Sequence, residues 1–167
     1  NPFSFNDLLF RFDDITEQDV YGILTFPRNA NSNDKKAVII GVAGSKGWAE
    51  HHYGYMDRYR EMGIATFTLH SFKSRGVVST VGEQVSVTIP MVVHDAYMAL
   101  AALSAKTDIN IDKVAITGWS LGGGVSLFTA WKPIKDTISP DFKFAAHLPF
   151  YPPCIAEPEE LEFTNSP

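Results

Sequence analysis

The densest chemistry in this 167-residue chain lies at Gly118-Trp119-Ser120-Leu121-Gly122-Gly123, a Gly-x-Ser-x-Gly element with an extra glycine behind it. A serine bracketed in this way suits a nucleophile lifted above a strand end on a tight, strained turn. Side chains two positions either side of such a serine collide, so Gly118 and Gly122 carry none. The flanking sequence supplies the rest of a nucleophile elbow. Val114 to Thr117 is a short apolar run that reads as a strand. The segment from Leu121 to about Trp131, ended by Pro133, reads as a helix packed closely through Gly123 and Gly124. Its N-terminus directs free N–H groups at the serine. The chemistry this permits is acyl transfer: Ser120 attacks a carbonyl, and the Leu121 N–H holds the oxyanion. A second donor is expected near Val42 or Ala43, in a glycine loop after an earlier strand. One such donor lowers a barrier by roughly 3–4 kcal/mol. A phosphate-binding loop is excluded, because it needs Lys and then Ser or Thr after its last glycine. Here Gly124 is followed by Val125-Ser126.

A serine without a base keeps its proton at neutral pH and is a weak nucleophile. After Ser120 the only histidine is His147, and the carboxylates are Asp136, Asp141, Glu157, Glu159, Glu160 and Glu162. His147 falls in a short apolar run and reads as a core histidine. His70 lies at the C-terminal end of a strand, where open α/β sheets bind ligands, and is a candidate substrate contact. Arg75, in the long loop that follows, is a second candidate, suited to gripping a carboxylate bidentately. His51 and His52 read as surface or stacking residues, His94 as structural, Trp119 as packing beside the elbow, and Cys154 as a passive thiol. No cluster has metal-ligand spacing, and neither a metal nor a cofactor is expected.

The elements that must position these residues alternate between strand-like and helix-like patterns, which argues for a mostly parallel sheet with crossover helices. Leu8 to Phe12 and Val20 to Phe26 read as two early strands, the second stopped by Pro27. Arg28 to Lys36 reads as a polar loop. Ala37 to Ile40 is an apolar run suited to a strand buried on both faces, leading into a flexible loop over Gly41 to Ser45. A helix is expected from about Trp48 to Met62, with Trp48, His52, Tyr55, Tyr59 and Met62 as its stripe and Gly63 as its C-terminal cap. Ile64 to Leu69 is the next strand, His70 to Thr88 a long irregular loop of the kind that carries function. Pro90 suits the first turn of a helix whose buried stripe is Val92, Ala96, Ala99 and Leu103. Phe144 to Leu148 reads as the last strand. Residues 149–167 read as an irregular tail of a single domain covering 1–167, with no internal repeat.

Composition narrows the function classes. Apolar residues make up 45%, charged residues 20%, and the net charge is −5, which leaves no basic footprint for nucleic acid. No apolar run approaches the ~20 residues of a membrane span. The single cysteine excludes an internal disulfide, and no charged segment followed by an apolar one stands at the N-terminus; both point to the cytoplasm.

Several segments taken in order resemble the dienelactone hydrolase family, within the α/β hydrolases. They are Val38-Ile39-Ile40-Gly41-Val42-Ala43-Gly44, Tyr59 to Ala65, Ser71-Phe72-Lys73-Ser74-Arg75-Gly76-Val77, Asp95 to Leu100, the elbow from Val114 to Gly124, and Phe150-Tyr151-Pro152. The resemblance spans roughly Val20 to Pro153. It implies an α/β-hydrolase-like sheet, truncated after about the sixth strand, and a serine hydrolase acting on small-molecule ester or lactone bonds through an acyl-enzyme. There are departures. Founding members use a cysteine where this chain has Ser120, usually have His-Gly where it has Gly41-Val42, and often have Asp where it has His70. In the family an Asp and then a His follow the nucleophile on later strands, and no residue of this chain lies in those places. The other readings are a non-catalytic, hydrolase-like binding or interaction protein with Ser120 as a relic, and a site whose second half lies on another polypeptide. An uncovered Phe144–Leu148 edge implies homo-oligomerisation by strand pairing.

Overall fold

The computed structural model describes residues 2–28, 34–154, 158 and 161–167. The chain opens with a helix rather than the strand expected over Leu8 to Phe12. α1 spans Phe5–Phe10, and a single 3-10 turn follows at Phe12–Asp14. Local capping decides this: the Ser4 hydroxyl accepts from the Asp7 N–H at 3.3 Å, and the Asp7 carboxylate accepts from the Ser4 N–H at 2.8 Å. Leu8 is thereby turned fully into the core.

Five strands form one sheet in the order β1-β3-β2-β4-β5. They are β1 Gly22–Thr25, β2 Lys36–Val42, β3 Ala65–Leu69, β4 Ile109–Trp119 and β5 His147–Phe150. Only β1 is antiparallel, against β3; the other pairings are parallel. The crossovers are α2 Glu50–Glu61 and α4 Ile89–Ser104, with the short α3 Ser71–Ser74 after β3. α5 Leu121–Phe128 and α6 Lys132–Ile138 separate β4 from β5. The expected loop over Arg28 to Lys36 falls largely on residues 29–33, outside the described set.

β2 shows why a continuous apolar run belongs at the centre of such a sheet. Val38, Ile40 and Val42 enter the larger core with α1, α4 and α5, whereas Ile39 faces the smaller core with Met56 of α2 and Trp119. β2 extends through Gly41 and Val42, so the glycine loop starts at Ala43. That loop is not slack: Gly44 and Gly47 form an antiparallel bridge, with the Gly47 N–H donating to Gly44 O at 2.8 Å. α2 buries His52 and Met56, while Met62, placed in its stripe by spacing, is 72% exposed at the cap. The whole expected stripe of α4 is buried. Pro133 starts α6 instead of ending α5, since a proline at the first turn loses no helical hydrogen bond.

β5 begins three residues later than expected, with His147 paired to Ile116, and Phe144 is a core side chain before the strand. Its outer edge is poorly suited to pairing with another copy. The His147 N–H donates to Pro167 O at 2.7 Å, and Pro149, the next residue facing outward, has no N–H. The homo-oligomer expected through this edge therefore finds no support in its geometry. Residues 161–167 also bond across the start of α6, Thr164 to Ala130 O and Lys132 to Glu162 O. Among the described residues no helix is long and apolar enough to cross a membrane.

Candidate active site

Ser120 stands between β4 and α5 with φ 54° and ψ −115°. A residue with a Cβ avoids this backbone region, and holding it there costs about 1–3 kcal/mol. Three features hold it. The Ser120 N–H donates to Phe150 O of β5 at 3.0 Å, its carbonyl accepts from the Gly124 N–H at 3.0 Å, and β4 is locked between β2 and β5. The bracketing glycines are required by close approach. A Cβ at Gly118 would land on the Gly122 carbonyl, and one at Gly122 would meet Val42 O and, at 2.6 Å, Ala43 O. Gly123 lets α5 pass against Phe150 O. Trp119 is 1% exposed on the other face of the sheet, stacked on Phe150 at 5.8 Å and tilted against His52 at 4.7 Å.

Ser120 is half-buried, and its hydroxyl makes no hydrogen bond among the described residues. Leu121 is the first residue of α5, and no backbone carbonyl among the described residues accepts its N–H. Of the two residues expected to give the second donor, Val42 ends β2 in register with Leu69 and Gly118. Ala43 lies just beyond the ladder, with no backbone acceptor for its amide among the described residues. Gly44 continues the loop past Ser120; a Cβ there would sit 3.4 Å from the Ser120 Cβ.

A cleft of about 390 Å3 opens beside this turn, and Ala43 and Leu121 both line it. Trp48, Tyr53, His70 and Phe72 add ring surfaces, and Val77, Val78 and Val92 add aliphatic ones. Lys46 and Lys73 are its charged members, both exposed. The structure thus brings His70 to the cleft. Its ring stacks on Tyr21 at 4.9 Å, its Nε2 is 3.4 Å from Thr68 Oγ1, and burial and then Lys73 push its pKa down.

Arg75 is not brought there. Its guanidinium forks onto Asp95 at 2.7 and 3.0 Å, and its Nη1 and Nε also donate to Ser71 O and the Gln18 side chain, at 3.0 Å each. Both partners of the Arg75–Asp95 pair are buried, with 8% and 4% of their side chains exposed. The pair ties α3, which forms one wall of the cleft, to α4. Spacing gives no hint of it, because Arg75 and Asp95 are 20 residues apart.

The other histidines are engaged elsewhere. His147 Nδ1 donates to Ser126 O at 3.1 Å and lies 3.2 Å from Thr129 Oγ1, while its Nε2 is buried without a partner. Burial holds its pKa down at about 4. His52 Nδ1 accepts from the Ala49 N–H at 3.1 Å, and burial together with the neighbouring His51 holds it at about 4. His94 packs against Phe12, and burial lowers its pKa. Cys154 is exposed. Among the described residues no group of His, Cys, Asp and Glu has the geometry of a metal site. Trp48 and Tyr53 are among the cleft residues that spacing assigned no functional part; Trp48 was expected in the buried stripe of α2 and instead lies just before that helix.

No protein-family model and no curated protein matches the chain. Solved structures do resemble it. Est1E from Butyrivibrio proteoclasticus, with ferulic acid bound, superposes with a TM-score of 0.61 at 16% identity over 80% of this chain and 49% of that one. Esterase 2 from Thermogutta terrifontis, in its apo form, gives a TM-score of 0.63 at 18% identity over 86% of this chain and 55% of that one. The present chain therefore spans about half the length of these esterases. The likeness establishes the fold: a mostly parallel sheet with crossover helices, of the α/β-hydrolase type.

Proposed function

We propose that this chain carries the nucleophile half of a serine carboxylic-ester hydrolase of the dienelactone hydrolase type. The observation that carries the reading is the backbone of Ser120, held at φ 54° between β4 and α5, next to Leu121, which lines the cleft. A strained position kept by a non-glycine residue needs a return, and a nucleophile lifted above the end of its strand is one. In this reading Ser120 Oγ attacks the carbonyl carbon of an ester or lactone and gives up its proton to a base. The amides of Leu121 and Ala43 hold the resulting oxyanion, with Val42 setting the loop that presents Ala43. Collapse breaks the ester C–O bond, the leaving oxygen takes the proton back from the base, and the acyl-enzyme that remains is cleaved by water. No histidine among the described residues bonds to Ser120, so the reading takes its base and its acid from outside them. The ester-hydrolase part of this reading is supported by the solved neighbours named above, which are esterases, one of them, the Thermogutta enzyme, phosphonylated by cyclosarin.

The test is labelling with a fluorophosphonate, read by intact mass, on the full polypeptide that the gene encodes, which has to supply the base, and on its Ser120→Ala variant. A single adduct that disappears in the variant supports an activated Ser120. Folded protein that stays unlabelled overturns the reading for this chain and leaves a hydrolase-like fold without the reaction.

A further inference from the structure

We propose that the cleft beside Ser120 is a site for an aromatic ring, so that the substrate class is aryl-bearing esters rather than simple alkyl ones. The ester part of this statement rests on the reading of Ser120 above; the recognition of a ring does not. Four ring side chains, Trp48, Tyr53, His70 and Phe72, line the cleft. Three of them are set in place before any ligand arrives. Trp48 Nε1 donates to Leu69 O at 2.9 Å, which fixes the indole at the end of β3. Tyr53 stacks on that indole at 5.1 Å and 29°. His70 lies 5.9 Å from it at 45° and is backed by Tyr21, stacked at 4.9 Å. A preordered aromatic wall loses little side-chain freedom on binding. It also favours a flat ring over an alkyl chain of similar area, because ring pairs gain from offset and edge contacts.

Size agrees. An apolar cavity of roughly 150 Å3 holds benzene, so about 390 Å3 takes a ring together with a short linker. The linker has somewhere to lead, since Leu121 and Ala43, the proposed oxyanion donors, line the same cleft. The remaining lining is mostly aliphatic, and none of it is acidic.

The experiment uses two neutral amides of equal carbon count that the protein cannot hydrolyse as esters, 3-phenylpropanamide and 3-cyclohexylpropanamide. Dissociation constants are measured by ligand-observed NMR on the chain and on Ser120→Ala, Trp48→Leu, Trp48→Phe and Tyr53→Leu. The expected result is a preference for the phenyl amide of roughly three- to tenfold. It persists in Ser120→Ala and largely in Trp48→Phe, and it falls toward unity in Trp48→Leu. Tyr53 is 43% exposed, so Tyr53→Leu folds even where Trp48→Leu does not, and it also narrows the preference. Equal affinities, no binding of either amide at millimolar concentration, or a preference untouched by both leucine variants overturns the proposal. A ring preference in protein that fluorophosphonate fails to label separates the outcomes: the aromatic cleft stands and the hydrolase reading falls.

Discussion

Replacing Ser120 by glycine should make the protein more stable than replacing it by alanine, against the usual order of these residues. The reason is the backbone at φ 54°, ψ −115°. Any residue with a Cβ holds that conformation at a cost of about 1–3 kcal/mol, and glycine does not pay it. Glycine gains about 0.4–1 kcal/mol of extra freedom in the unfolded chain, which works the other way. The difference leaves Ser120→Gly above Ser120→Ala by roughly 0.5–2 kcal/mol. Ser120→Ala itself should sit within about 0.5 kcal/mol of the parent, because no hydrogen bond from the hydroxyl is lost and the Cβ stays. For a domain of this size each kcal/mol moves the melting temperature by about 2–4 °C. The assay is urea unfolding of the parent and the two variants, followed by far-ultraviolet circular dichroism and compared at a common m-value. A midpoint for Ser120→Gly at or below that of Ser120→Ala refutes the argument, and with it the idea that strain is stored at Ser120. An exposed alanine changed to glycine in a helix, such as Ala101, is the control and should lose stability.

Two further perturbations follow from buried charge. Asp95→Ala removes the carboxylate that the buried Arg75 guanidinium forks onto, and should cost about 3–5 kcal/mol in urea unfolding; the double variant with Arg75→Met should recover part of that loss, and strict additivity would sink the pairing argument. Histidine burial sets the pH dependence. His147 and His52 are held at about 4 in the fold against an ordinary value of 6.5, so the unfolded chain takes up their protons first. Their neutral forms contribute full stability above about pH 6.5, stability that drains away as the pH falls toward 4 and changes no further below it. His147→Asn should shrink the gap between urea midpoints measured at pH 7.5 and pH 5.0, and an unchanged gap would show that this ring does not titrate with unfolding.

Much of the architecture was legible in the pattern of residues. The continuous run Val38-Ile39-Ile40 specifies a strand covered on both faces, because alternate side chains must then all leave water. The α4 stripe follows from helical spacing, and Gly118 and Gly122 mark a turn that has no room for Cβ atoms. Where local signals competed, spacing misled. Leu8 to Phe12 has strand-like composition, yet Ser4 and Asp7 cap a helix across its start. Pro133 reads as a stop and acts as a start, because its effect depends on which side of it the helix lies. Pro149 marks a strand edge only once β5 is known to have β4 on one side and Pro167 on the other.

By itself, then, the sequence determined the five strands of the sheet, the helices α2, α4 and α5, and the glycine-bracketed turn at Ser120, since these depend on short-range periodicity and on steric limits within a few residues. Tertiary structure alone decided what surrounds that serine. It set Arg75 against Asp95 rather than in the cleft, turned His147 toward Ser126 and Thr129, and brought Trp48 and Tyr53, which precede β3 in the chain, to His70 just after it. Those are contacts between side chains far apart along the chain, and they are fixed by the packing of whole elements, which no local spacing encodes.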